Sequence, residues 1–231
     1  MYRGIMMSSR IPWIFLTLII ITMKPSFVQS ENRIELPAPQ LDSDYSVEKA
    51  MLERRSVREY SGVALSLEEF AQLLWACQGI SSPSGYRTAP SAGALYPLEV
   101  YAVVKDVDGL TSGVYHYTPG PGIDKHHLER LLDGDKTREL AGAALGQGCI
   151  LNAAVNIVIG AVVERTAVKY GQRAVQYVHI EAGHAAQNVC LQAQGLGIGV
   201  VTVGAFYEDR VKKVIGVNAN PIYIICVGKK R

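Results

Sequence analysis

From Tyr170 to about Gln194 the chain carries a long helical pattern rich in alanine (Ala174, Ala182, Ala185, Ala186 and Ala193), with apolar residues on more than one side. Such a helix offers no wide polar face to solvent, so it is expected to lie at the centre of the fold. The strands must then pack around it. Val155–Val163 is apolar and β-branched, the composition of a strand buried on both faces. Leu98–Val104 and Gly113–Tyr117 read as strands around an Asp106–Gly109 turn, and Ile222–Val227 as a last strand. Ser46–Arg55 and Glu208–Ile215 read as helices, as do Asp124–Leu132 and Lys136–Leu145. Ser66 and Glu69 form a capping-box pattern that opens a helix running through Cys77 to a stop at Gly79. Helices and strands mix without a strict β-α-β rhythm, which predicts an α+β fold.

The first thirty residues differ from the rest. Arg3 and Arg10 precede an apolar run, Ile11–Met23, which is followed by Lys24-Pro25 and small residues at Val28-Gln29-Ser30. This is a signal-peptide pattern, and the run falls short of the ~20 residues that span a bilayer. Residues 1–30 are therefore expected to be a leader or N-terminal anchor. A true leader implies an exported protein, periplasmic or membrane-anchored; otherwise the protein is cytoplasmic. Residues 31–45, with Pro37 and Pro39, read as an extended linker, and the domain as residues 46–231.

Lys and Arg total 23 against 21 Asp and Glu, a formal charge of only +2, so nothing favours a nucleic-acid partner. Any anion site must be local. The four cysteines, Cys77, Cys149, Cys190 and Cys226, are far apart in sequence, lack C-x-x-C spacing and read as small buried hydrophobes. The histidines show no metal-ligand spacing, and no metal is expected. Gly195-Leu196-Gly197-Ile198-Gly199 closes a helix and precedes a strand, the reverse of a dinucleotide fingerprint, and reads as a helix stop.

Arg54-Arg55-Ser56-Val57-Arg58 puts three guanidinium groups and a hydroxyl where a helix ends. Such a cluster is either a solvated face that complements the helix dipole or a phosphate clamp, since the planar fork of Arg matches phosphate oxygens. Two small-residue segments keep it company: Pro90-Ser91-Ala92-Gly93-Ala94-Leu95-Tyr96-Pro97, and Gly197 to Ala205. Segments of that kind let a flat ring approach the backbone. Together the three suggest a planar, phosphorylated ligand.

At these residues the chain resembles the nitroreductase superfamily, and within it the SagB-type dehydrogenase branch that includes azoline-oxidising flavoenzymes. The resemblance runs over about residues 46–228. It is carried by the stretch at 54–58, the loop at 90–97, Glu181-Ala182-Gly183-His184-Ala185-Ala186-Gln187-Asn188, Val203-Gly204-Ala205-Phe206 and Pro221-Ile222-Tyr223. It implies a three-layer α+β fold: a mixed, mainly antiparallel sheet with helices on both faces, in a domain-swapped homodimer with two FMN sites between the chains. On the same grounds Arg54, Arg55, Ser56 and Arg58 hold the FMN phosphate and ribitol. Pro90, Ser91 and Gly93 lie by the isoalloxazine, Gly204 and Ala205 at its N5 and O4 edge, and Lys229 near the phosphate.

The azoline-oxidising relatives carry a Lys-Tyr pair before the long helix, matched here by Lys169-Tyr170. Either group could take the proton that leaves as hydride goes to flavin N5. Alternatively the two are a surface lysine and a helix-starting aromatic. The expected activity is FMN-dependent oxidation of a small-molecule substrate. The alternatives are NAD(P)H-dependent reduction of nitro compounds or quinones, and a non-redox flavin carrier.

Overall fold

The computed structural model describes Met1 and residues 32–231, so the expected leader lies, apart from Met1, outside the described residues. Seven strands form one sheet: β1 Arg33–Glu35, β2 Leu98–Val104, β3 Gly113–Gly122, β4 Lys125–Asp133, β5 Val155–Ala161, β6 Ile198–Val203 and β7 Asn220–Lys229. Their spatial order is β1-β4-β3-β2-β5-β7-β6, and every neighbouring pair is antiparallel. Among the described residues seven α-helices accompany them: α1 Val47–Glu53, α2 Leu67–Gln78, α3 Thr137–Ala143, α4 Gly148–Asn152, α5 Glu164–Tyr170, α6 Ala174–Gly195 and α7 Glu208–Ile215.

The central strands are apolar at successive positions because both faces are covered. Side chains alternate across a strand, so Val100, Ala102 and Val104 of β2 face one core while Tyr101 and Val103 face the other. The first core takes Phe70, Leu73 and Leu74 from α2 and Val178, Ala182, Ala185 and Val189 from α6. The second takes Leu140 from α3, Ile150 from α4, and Val211 and Ile215 from α7. The result is three layers; α6 buries the side that carries Val178, Ala182, Ala185 and Val189 and exposes the opposite side at Val175, His179, Ile180 and Gly183, so it is not enclosed all round as its composition predicts. Both halves of the capping box form: Ser66 Oγ accepts from Glu69 N at 3.2 Å, and Glu69 Oε2 accepts from Ser66 N at 2.9 Å. Phe70, one turn into α2, is fully buried. Its replacement by alanine is expected to cost about 3–5 kcal/mol in urea unfolding, through lost burial and the cavity left behind.

Four sequence readings need correction. Asp124–Leu132 is a strand rather than a helix: β4 pairs with β3 on one side and β1 on the other. The strand read as Gly113–Tyr117 continues to Gly122. Residues 31–45 are more than a linker, since β1 is an edge strand, Leu36 is buried, and Gln40 N donates to Gln72 Oε1 at 2.8 Å. The long helix starts at Ala174, because Gly171 at φ +53° separates it from α5; Tyr170 therefore ends α5.

Candidate active site

Arg54–Arg58 leaves α1 and lies along β6, where Val57 N donates to Val200 O at 2.9 Å and Ser56 bridges Val200. A Cβ on Gly199 would stand 2.7 Å from Val57 Cγ1, so glycine is what lets this segment settle on the strand. Of the three arginines, Arg55 turns back on the helix, donating to Leu52 O at 3.0 Å and Arg54 O at 2.8 Å. Arg54 and Arg58 have no ion-pair partner among the described residues, and Ser56 is exposed beside them. Four residues along β6 from Val200, a rise of ~13 Å, the chain reaches Gly204 and Ala205. Both are exposed, and Gln147 Nε2 donates to Ala205 O at 3.0 Å. Lys229 ends β7, and its ammonium pairs with Glu69.

A second group gathers where the 90–97 loop meets α5 and α6. Ser91 Oγ accepts from Tyr96 N at 2.9 Å, closing a turn in which Gly93, Ala94 and Tyr96 all have positive φ. Non-glycine residues there hold a strained backbone, which folded proteins keep mainly where function requires it. A Cβ on Gly93 would meet Tyr170 Oη at 3.0 Å and Lys169 Nζ at 3.1 Å. Both polar groups of the Lys-Tyr pair thus converge on the glycine of the loop. Pro90 is exposed at its start.

Sequence reasoning missed Glu181, which is only 2% exposed on α6 and whose Oε1 has no hydrogen-bond partner. The signal was present: Glu181 lies on the same stripe as Val178, Ala182 and Ala185, a carboxyl on the buried side of a central helix. Burial pushes its carboxyl up to about 7, against the Ser91 hydroxyl and the Arg87 guanidinium, which favour the charged form. A carboxyl that titrates higher when folded supports stability below its unfolded pKa and loses that support as pH rises through the folded value. Glu181→Gln is therefore expected to gain stability relative to the native chain between pH 5 and pH 8, by on the order of 2–3 kcal/mol in chemical denaturation. An equal difference at both pH values would contradict this.

A nitroreductase family model matches residues 51–229. The chain belongs to the nitroreductase family. A candidate nitroreductase of Methanocaldococcus jannaschii is 42% identical over 199 residues, covering 86% of this chain and 98% of that protein. Among solved structures, a candidate nitroreductase from Anabaena variabilis superposes with a TM-score of 0.73 at 30% identity, over 86% of this chain but only 42% of its own length. More distant structures share the fold. The Escherichia coli microcin synthetase McbBCD complex has a TM-score of 0.64 at 20% identity, over 98% of this chain and 85% of that one. The NADPH:FMN oxidoreductase of Vibrio harveyi has 0.57 at 20% identity, over 80% and 68%. The three-layer α+β fold expected from the resemblance is the fold found, and the chain is an oxidoreductase of this family.

Proposed function

We propose that this nitroreductase-family protein is an FMN-dependent oxidoreductase of the SagB type, oxidising a small-molecule substrate at a C–N or C–C bond. The observation that carries the reading is the meeting of Lys169 Nζ and Tyr170 Oη at Gly93. The residues suit the cofactor. Arg54 and Arg58, free of protein counter-ions among the described residues, and Ser56 form a donor set for a phosphate. Bound FMN would supply N5 as the hydride acceptor and donor.

The chain's own residues do the rest. Arg54 and Arg58 would anchor the anion, Ser91 and Gly93 would let a flat ring approach the backbone, and Gly204 and Ala205 would serve its N5 and O4 edge. Lys169 or Tyr170 takes the proton released as the substrate is oxidised. Two sites in a homodimer are supported by α6, whose outer stripe exposes Val175 (50%) and Ile180 (48%) and has open space over Gly183. The leader pattern favours export, where NAD(P)H is scarce and another electron partner would serve.

Anaerobic stopped-flow tests the reading. A bound flavin is expected to bleach with a substrate amine or thiazoline-type donor and to recover with an acceptor. A bound flavin that no donor bleaches and no acceptor restores would point to a carrier instead.

A further inference from the structure

Where β2 and β3 part, a cavity of about 250 Å³ opens between Leu98–Val100 and Tyr117–Pro119. The two strands pair only as far as Val100 opposite Tyr117. Pro119, which has no N–H, pairs with His126 on β4 instead, leaving Leu98 and Glu99 without a β3 neighbour.

The polar lining of this cavity has too many donors. Arg87 donates to Gln78 Oε1 at 2.8 Å and lies over the Tyr96 ring at 4.6 Å, yet has no carboxylate at ion-pair distance among the described residues. Gln78 is 1% exposed, and its Nε2 is buried with no partner. Its amide cannot be reversed, because Arg87 offers only donors and must face the oxygen. Glu99, the acidic lining residue, is already taken. Its Oε2 meets His116 Nε2 at 2.7 Å and its Oε1 meets Arg165 NH2 at 2.5 Å. Burial alone would raise the Glu99 carboxyl, but these two partners hold it below the usual range. Glu181, the other carboxyl whose field reaches Arg87, makes no ion pair with it. A half-buried guanidinium with no carboxylate at ion-pair distance calls for an anion. Leu98, Val100, Tyr117 and Pro119 add apolar wall between these polar groups.

We propose that this cavity binds a small organic carboxylate, with the Arg87 fork taking its oxygens, and so selects acid-bearing substrates for the neighbouring 90–97 loop. The loop is adjacent through two contacts: Arg165 NH1 donates to Tyr96 O at 3.2 Å, and Arg87 stacks on the Tyr96 ring. The role in substrate selection rests on the flavin reading; the binding of a carboxylate does not.

Calorimetric titration of the purified full chain with benzoate, benzamide and inorganic phosphate tests this, with flavin content read from visible absorbance. Benzoate is expected to bind at least about tenfold more tightly than benzamide or phosphate, a planar bidentate preference. Arg87→Gln is expected to reduce that preference to under about twofold while flavin content is unchanged. Should that variant not fold, Thr118→Trp, which fills the cavity from β3, is expected to abolish benzoate binding. Equal binding of benzoate and benzamide, equal binding of phosphate, or a preference that survives the folded variant would overturn the proposal. A colourless protein that still prefers benzoate would sink the flavin reading and leave this site standing. A yellow protein with no preference would do the reverse.

Discussion

Replacing Arg54 or Arg58 by alanine is expected to strip the protein of flavin while leaving the chain folded. Each guanidinium is free of an ion-pair partner among the described residues, and on the proposed reading each would make a charge-assisted contact with the FMN phosphate worth about 1.5–3 kcal/mol. Losing one weakens FMN by roughly tenfold to a hundredfold. Arg55 provides the internal control. Its guanidinium is spent on Leu52 O and Arg54 O at the end of α1, so Arg55→Ala is expected to lower stability slightly and flavin affinity less. Fluorescence titration of each apoprotein with FMN reads the three affinities directly. Equal dissociation constants for native, Arg54→Ala and Arg58→Ala proteins would remove the clamp.

Lys169→Met and Tyr170→Phe are expected to separate catalysis from binding. Both side chains reach the Gly93 turn, but neither belongs to the Arg54–Arg58 segment bridged to β6. Flavin content is expected to stay near that of the native protein. The rate of anaerobic flavin reduction by substrate should fall by about 10²–10⁴ in whichever variant lacks the proton acceptor. The other variant should lose less, through positioning alone, since Lys169 Nζ lies 5.5 Å from the centre of the Tyr170 ring and Tyr170 packs edge-on against Tyr177. Native reduction rates in both variants would return the pair to its alternative reading, a surface lysine and a helix aromatic.

Elements whose period is set by burial were legible in the sequence. β2 falls where its apolar, β-branched run and the turn after it put it, α7 where helical spacing puts it, and the Ser66 capping box forms as its letters promise. β4 was misread because Leu128, Leu131 and Leu132 fall at helical spacing. The decisive information was non-local: β4 fills the gap between β3 and an edge strand in the lead-in, and His126 Nε2 meets Pro37 O at 2.7 Å across that join. The prolines of β3 hid its length for a related reason. A proline is tolerated where a strand is paired on one side only, and beyond Tyr117 the β2 side of β3 is empty.

For the site, the arginine cluster and the 90–97 loop stand out by composition. The role of Gly199 under Val57 does not, because a close approach between segments 142 residues apart leaves no local pattern. Arg87 and Gln78 leave no local pattern for the same reason: each is an ordinary residue until the fold leaves it short of a partner.

The most direct measurement is the visible absorption spectrum of the purified full chain, taken with its FMN content and its mass in solution. A yellow dimer that carries close to one FMN per chain, and loses it in Arg54→Ala, is the expected result. A colourless chain that takes up no added FMN would contradict the account at its root.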